Sequence, residues 1–279
     1  MTVGESLAHG TGVLAEAGID TARLEAELLL ARVCDDCARA LLYMELQREL
    51  SPEAEEAFEA LLARRARREP LAYILGHWGF RRLTLKTDAR ALIPRPETEI
   101  VVERALEHLN GMSEPAVLDV GTGTGAIALA IVDEHPRARV TAIDTSSDAL
   151  ALARENLDLL GINGRVRLVE HDLTEGLGRD EFDLVVSNPP YVEPEDIETL
   201  QPEVRDWEPR IALVAHGATE AVARAATEAL RPGGWVVLEI AENQAVNVAG
   251  LLTDLGYEHL RISPDMAGRD RVIEAQWSR

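Results

Sequence analysis

Residues Val117-Leu118-Asp119-Val120 run directly into Gly121-Thr122-Gly123-Thr124-Gly125-Ala126, and Ile127 and Leu129 follow at helical spacing. A short apolar strand that turns within a few residues into a helix leaves few folds open, because such a turn needs backbone angles that only glycine adopts freely. The strand-then-helix texture repeats beyond Glu97. Apolar runs at 116–120, 139–143, 166–169, 182–186, 234–240 and 272–275 are separated by stretches with helical periodicity. This alternation predicts an α/β fold with a mostly parallel sheet covered by helices on both faces. A ligand is then expected at the carboxyl ends of the strands, near the point where strand order reverses.

From Thr2 to about Arg68 the texture differs: helix formers dominate, with apolar residues three and four apart. Asp20 is expected to cap a helix carrying Leu24, Leu28 and Leu29, and Ser51-Pro52 to start another. Arg64, Arg65, Arg67 and Arg68 then close that helix, where cations meet the negative end of its dipole, and are expected on the surface. Pro70 breaks the pattern, and Phe80 to Leu92 alternates as a short hairpin would, with Asp88 supplying turn chemistry. The expected organisation is a small all-helical domain over 1–75, a β-hairpin linker over 76–96 and a sheet domain over 97–279.

Composition narrows the partners. Forty-nine Asp and Glu against 28 Lys and Arg give a net charge of -21, which argues against a protein that grips nucleic-acid phosphates, so no direct DNA binding is expected. No apolar stretch approaches the roughly 20 residues needed to cross a bilayer and no signal pattern opens the chain, so a soluble, cytoplasmic monomer without membrane contact is expected. Cys34 and Cys37 are the only cysteines. They lack further zinc ligands and the preceding strand of a redox pair, so they read as free thiols on one helix face, and no metal is expected.

The glycine turn presents the nucleotide end of a site through Gly121, Thr122, Gly123, Thr124 and Gly125. Gly121, Gly123 and Ala126 also satisfy the dinucleotide fingerprint, so the turn alone admits a nicotinamide cofactor. Asp144, at the end of the next strand, has the spacing of a carboxylate that accepts from ribose hydroxyls, and Asp172, after the third, is expected to meet an adenine amino group. Asp119 separates the cofactors: an acid beside the turn suits the ammonium or sulfonium of S-adenosylmethionine and disfavours a pyrophosphate.

The fourth strand ends in Asn188-Pro189-Pro190-Tyr191. A carboxamide or exocyclic amino nitrogen is a poor nucleophile, so a catalyst must align it. The Asn188 side-chain oxygen and the Pro189 carbonyl can each accept one hydrogen of an NH2 group, Pro190 stiffens the turn, and Tyr191 is expected to stack on the planar group. Together the two ends point to methyl transfer onto a planar nitrogen. None of the seven histidines has a catalytic or metal-binding spacing.

The chain resembles the bacterial protein-(glutamine-N5) methyltransferases that modify peptide-chain release factors. The resemblance rests on Ala22-Arg23-Leu24-Glu25-Ala26-Glu27-Leu28-Leu29, on Pro70-Leu71-Ala72-Tyr73-Ile74-Leu75-Gly76, and on Leu92-Ile93-Pro94-Arg95-Pro96-Glu97-Thr98-Glu99. The glycine turn and Asn188-Pro189-Pro190-Tyr191 complete it. It implies a class I Rossmann-like methyltransferase sheet. It also implies that Gly121 to Gly125, Asp144 and the Asp172-Leu173 pair bind S-adenosylmethionine, and that Asn188 to Tyr191 hold the glutamine of a Gly-Gly-Gln loop. The helical domain would help to dock the release factor. A relative acting on a ribosomal-protein glutamine and an adenine-N6 nucleic-acid methyltransferase share parts of the pattern and stay open. Two departures stand out: Ala241 where glycine is frequent, and Ala215-His216-Gly217-Ala218 without a usual acidic residue.

Overall fold

The computed structural model describes residues 1–34, 39–162, 164–177, 182–214 and 216–278. Cys37 and Ala215 therefore lie outside the described residues, while Cys34 is buried. The chain forms two compact units, one of Met1–Gly76 with Gln201–Trp207, the other of His77–Leu200 with Glu208–Arg279.

The first unit is helical: α1 (Val3–Glu16), α2 (Ala22–Val33), α3 (Arg39–Leu42), α4 (Pro52–Ala66) and α5 (Leu71–Leu75), joined by a short turn of helix at Pro202–Arg205. Leu7, Leu14, Leu29, Leu30, Phe58 and Leu62 form its core. Gly10 lets α1 and α4 approach, since a Cβ there would stand 2.8 Å from the Phe58 ring. Ser51 caps α4 as expected, accepting from Ala54 N. Asp20 does not cap α2: Thr21 holds that position, and its hydroxyl donates to Glu25 instead.

The arginine cluster departs from a free surface patch. Arg65 is buried between Glu25 and Glu203, Arg68 donates to Glu203 and to the Gly18 carbonyl, and Arg64 pairs with Glu69. The segment 201–207 thus joins the helical unit through two arginines on one carboxylate.

The second unit opens with a hairpin, β1 (His77–Phe80) and β2 (Leu83–Lys86), which lies earlier than 80–92. Arg81 makes the turn at φ 51°, held by its backbone N–H on Glu99 Oε1, while Asp88 forms a separate turn with Arg90.

Seven strands follow: β3 (Ala116–Val120), β4 (Arg139–Asp144), β5 (Val166–Glu170), β6 (Phe182–Ser187), β7 (Leu230–Glu239), β8 (Tyr257–Pro264) and β9 (Asp270–Trp277). They build one sheet in the order β5-β4-β3-β6-β7-β9-β8, parallel except where β9 pairs with β7 and β8. Helices α6 (Thr98–Leu109), α7 (Ala126–Glu134), α8 (Ser147–Leu160), α9 (Arg210–Leu213), α10 (Ala218–Ala229) and α11 (Ala245–Leu255) complete the unit.

Strand periodicity sorts the core. Val117 and Val140 face the α6 and α7 side, with the hairpin residues Phe80 and Leu85; Leu118 and Val120 face α10 and α11. Asp119 therefore points into a core. It has no exposed surface, and its Oδ2 accepts from Thr122 Oγ1 at 2.6 Å and from Ala128 N at 3.2 Å, in the first turn of α7. Asn156 on α8 is equally buried: its side chain accepts from Lys86 N and donates to the carbonyls of Lys86 and Thr124, tying the hairpin to the glycine turn. Among the described residues no helix is long and apolar enough to cross a membrane.

Two stability measurements test this packing. Arg65→Met leaves two carboxylates without their shared cation, and urea denaturation should register a loss of about 3–5 kcal/mol. Burial pushes the Asp119 carboxyl up from 3.8 to about 7. Its neutral form favours the fold, so this contribution is full below about pH 4 and is lost as pH rises to about 7, on the order of 4 kcal/mol in all. Asp119→Asn should flatten that slope and gain stability over the wild type at pH 8; an unchanged slope would mean that Asp119 is solvated.

Candidate active site

The β3–β6 pairing sets Val120 opposite Ser187, so Gly121 and Asn188 leave adjacent strand ends although 67 positions separate them. Ser187 Oγ donates to the Val120 carbonyl at 2.7 Å and fastens the two ends together. Strand order reverses at this pair, since β4 and β5 run outward on one side of β3 and β7 lies on the far side of β6. Loops diverging from such a point leave a crevice.

A cavity of about 290 Å³ occupies it. Its wall takes Gly121, Thr122, Gly123 and Thr124 from the turn, Asp144 and Ser146 from the end of β4, and His171 and Leu173 from beyond β5. Asn188, Pro189 and Pro190 come from beyond β6. Gly121 and Gly123 have φ of 73° and 55°, and a Cβ at Gly121 would meet no protein atom within 4 Å. The glycine thus leaves room that the protein does not fill, which suits a cofactor lying against the turn. Asp144 accepts from Gly123 N and Ser146 N, both at 2.9 Å, so its carboxylate is held in the wall by backbone donors.

Four expected site residues lie elsewhere. Asp119 sits beneath the wall, bracing Thr122 and α7. Gly125 is the residue before α7, at φ 84°, and a Cβ there would press on Leu129 at 3.1 Å, so it serves helix packing. Asp172 is exposed, while its neighbours His171 and Leu173 reach the wall. Tyr191 turns away from this cavity: its hydroxyl donates to Glu239 Oε1 at 3.1 Å, and its ring lines a second cavity of about 590 Å³, which shares Pro190 and Ala218 with the first.

The wall also holds residues to which the sequence reading gave no role. Arg95 pairs at 2.5 Å with Glu208, whose buried carboxylate also accepts from Ile93 N; burial pushes that carboxyl up and Arg95 opposes the rise. Arg90 is anchored by Asp88 and Glu155. Thr98, the first residue of α6, accepts from Asn188 Nδ2 at 3.1 Å and donates to Glu239 Oε2 at 2.6 Å. The only signal for these was their place in the Pro94–Glu99 stretch or beside it. Among the described residues no group of three His, Cys, Asp or Glu is placed to hold a metal.

Two family models match the chain: one described as the PrmC N-terminal domain over residues 5–76, the other as the methyltransferase small domain over 99–203. The release factor glutamine methyltransferase of Chlorobaculum tepidum is 43% identical over 284 residues, covering 98% of this chain and 96% of that one. That of Deinococcus radiodurans is 42% identical over 282 residues, covering 99% of both. That of Geobacter sulfurreducens is 42% identical over 278 residues, covering 98% of this chain and 95% of that one. A solved S-adenosylmethionine-dependent O-methyltransferase from Thermotoga maritima, 16% identical, superposes with a TM-score of 0.50 over 70% of this chain and 73% of that one, and so shares the fold. Identity of this extent over nearly the whole length leaves one conclusion: the chain belongs to the release factor glutamine methyltransferase family.

Proposed function

We propose that this protein transfers a methyl group from S-adenosylmethionine to the side-chain N5 of the glutamine in the Gly-Gly-Gln loop of peptide-chain release factors. The observation that carries the reading is the meeting of the glycine turn and the Asn188-Pro189 loop in one cavity. The cofactor, when bound, supplies an electrophilic methyl group on a sulfonium.

The chain's own residues then have separable tasks. Gly121 and Gly123 keep the turn free of side chains, Asp144 offers carboxylate oxygens to ribose hydroxyls, and Arg90 and Arg95 bring positive charge for an α-carboxylate. Leu173, in the cavity wall, would offer an apolar surface to the adenine. Asn188 Oδ1 and the Pro189 carbonyl each accept one hydrogen of the substrate carboxamide, so the nitrogen is aimed and its lone pair cannot rotate away. Alignment of this kind can supply roughly 7–11 kcal/mol of the barrier. The same two oxygens would stabilise the nitrogen as it becomes positive; its new bond to the methyl carbon would replace the carbon–sulfur bond, whose electron pair leaves with the neutral thioether, and the proton lost from the nitrogen would pass to water.

Asp119 and Gly125 enter this reading as supports of the turn, and Tyr191 as a support of the loop behind the substrate. The polypeptide on either side of the glutamine would continue into the second cavity, where Glu193, Asp196 and Glu220 favour cationic or small neighbours. We assign docking of the release factor to the helical unit, and propose that the enzyme works as a cytoplasmic monomer without DNA as a partner. The net charge of -21 supports the last point.

Incubation of a release factor with the protein and S-adenosylmethionine should add one methyl group, which peptide mass spectrometry should map to the Gly-Gly-Gln glutamine. Asn188→Ala should lower kcat roughly 100- to 1000-fold with cofactor affinity, read by calorimetry, little changed. Methylation of a ribosomal-protein glutamine in preference, or full activity of the Asn188 variant, would overturn the reading.

A further inference from the structure

We infer that Thr98 and Glu239 are positioning residues, which fix the side-chain amide of Asn188 with its oxygen turned to the substrate and its NH2 turned into the protein. The inference rests on the proposed role of Asn188 and extends it to two residues that need not touch substrate.

A side-chain amide has two faces of opposite character. An Asn188 rotated by half a turn would present NH2 to the substrate's own NH2, donor against donor, and the clamp would fail. Something must forbid that rotation, and the geometry behind Asn188 does so. Glu239, at the end of β7, is 1% exposed. Its Oε2 accepts from Thr98 Oγ1 at 2.6 Å, and its Oε1 accepts from the Tyr191 hydroxyl at 3.1 Å. An ionised carboxylate can only accept. The single hydroxyl hydrogen of Thr98 is therefore committed to Glu239, and toward Asn188 the Thr98 oxygen can only accept in turn. Of the two ends of the Asn188 amide, only Nδ2 can supply that hydrogen, and it stands 3.1 Å away. Thr98 itself is 4% exposed, so water has little access to substitute for either bond.

The chain of donors thus carries a fixed polarity from Glu239 to the reacting site. It also gives Tyr191 a place: its hydroxyl occupies the other carboxylate oxygen, so both oxygens have a committed donor. The chain depends on Glu239 staying ionised. Burial pushes its carboxyl above the ordinary carboxylate range, with Thr98, Tyr191 and Arg271 opposing that rise and Glu97 adding to it. Once protonated, Glu239 can donate to Thr98, which frees the Thr98 hydrogen to point at Asn188 and removes the constraint. Activity should therefore be full above that pKa and fall as the pH drops through it.

The test compares Thr98→Val, Thr98→Ser and Glu239→Gln with Asn188→Ala, all with saturating cofactor and a full-length release factor. Folding is checked by circular dichroism. Thr98→Val, which keeps shape and loses the hydroxyl, should lower kcat roughly 10- to 100-fold with KM for the release factor little changed. Thr98→Ser, which restores the hydroxyl, should recover most of it. The wild-type pH profile of kcat should have an acid limb that Glu239→Gln lacks. Wild-type kcat in Thr98→Val, a serine variant as slow as the valine variant, or an acid limb that persists in Glu239→Gln would each overturn the inference. If Asn188→Ala is also fully active, the proposed function itself has failed; if it alone is slow, only the positioning role has.

Discussion

The parallel pairing of β3 with β6 is the constraint on which the site depends. It is a contact between segments far apart in sequence, and its register decides which residues emerge side by side at the strand ends. A slip of β3 by one residue against β6 would exchange the faces of β3, turning Asp119 toward α10 and α11 and Leu118 toward α7. The apolar alternation that buries Val117 and Leu118 on opposite faces forbids this. The site is thus located by the same hydrophobic pattern that stabilises the sheet, and the bond from Ser187 to the Val120 carbonyl locks the last step of the register.

Charge is handled by a second rule. The chain is strongly acidic, yet several of its buried or half-buried carboxylates meet an arginine: Glu25 and Glu203 share Arg65, Glu208 meets Arg95, and Glu274 meets Arg104 through two parallel bonds. The planar fork of arginine suits such pairs, and Lys86, the single lysine, lies on an exposed pair with Glu155. Two buried carboxylates are answered by hydroxyls instead. Asp119 binds Thr122, and Glu239 binds Thr98 and Tyr191; both adjoin the cavity. A hydroxyl passes a hydrogen-bond direction onward, which an ion pair does not, and that difference fits residues that orient others.

The fold class was legible because parallel strands buried on both faces read as apolar runs, and the six expected strands all form. β8 was not, since it is an edge strand with Glu258 and Arg261 facing out and little alternation. The hairpin was misplaced because its turn is made by Arg81 at a positive φ, held by Glu99 from a distant segment, and no Asn or Gly marks it. The arginines after α4 looked like a surface cluster because Glu203 lies more than 130 residues further along.

For the site, the structure brings to one cavity the residues singled out because their backbone must be bare or rigid: Gly121 and Gly123 of the turn, with Asn188 and the two prolines. Those whose setting comes from a distant partner were less legible. Nothing local distinguishes Thr98 from any threonine at a helix start, or Tyr191 from an aromatic free to stack, until Glu239 stands between them. Sequence by itself determined the alternating sheet and the places of the bare glycine turn and the proline loop at its strand ends, because those follow from periodicity and residue type. Only the tertiary structure decided which way the carboxylates and the tyrosine point, because a buried polar group takes its direction from whichever donor or acceptor the fold brings within reach.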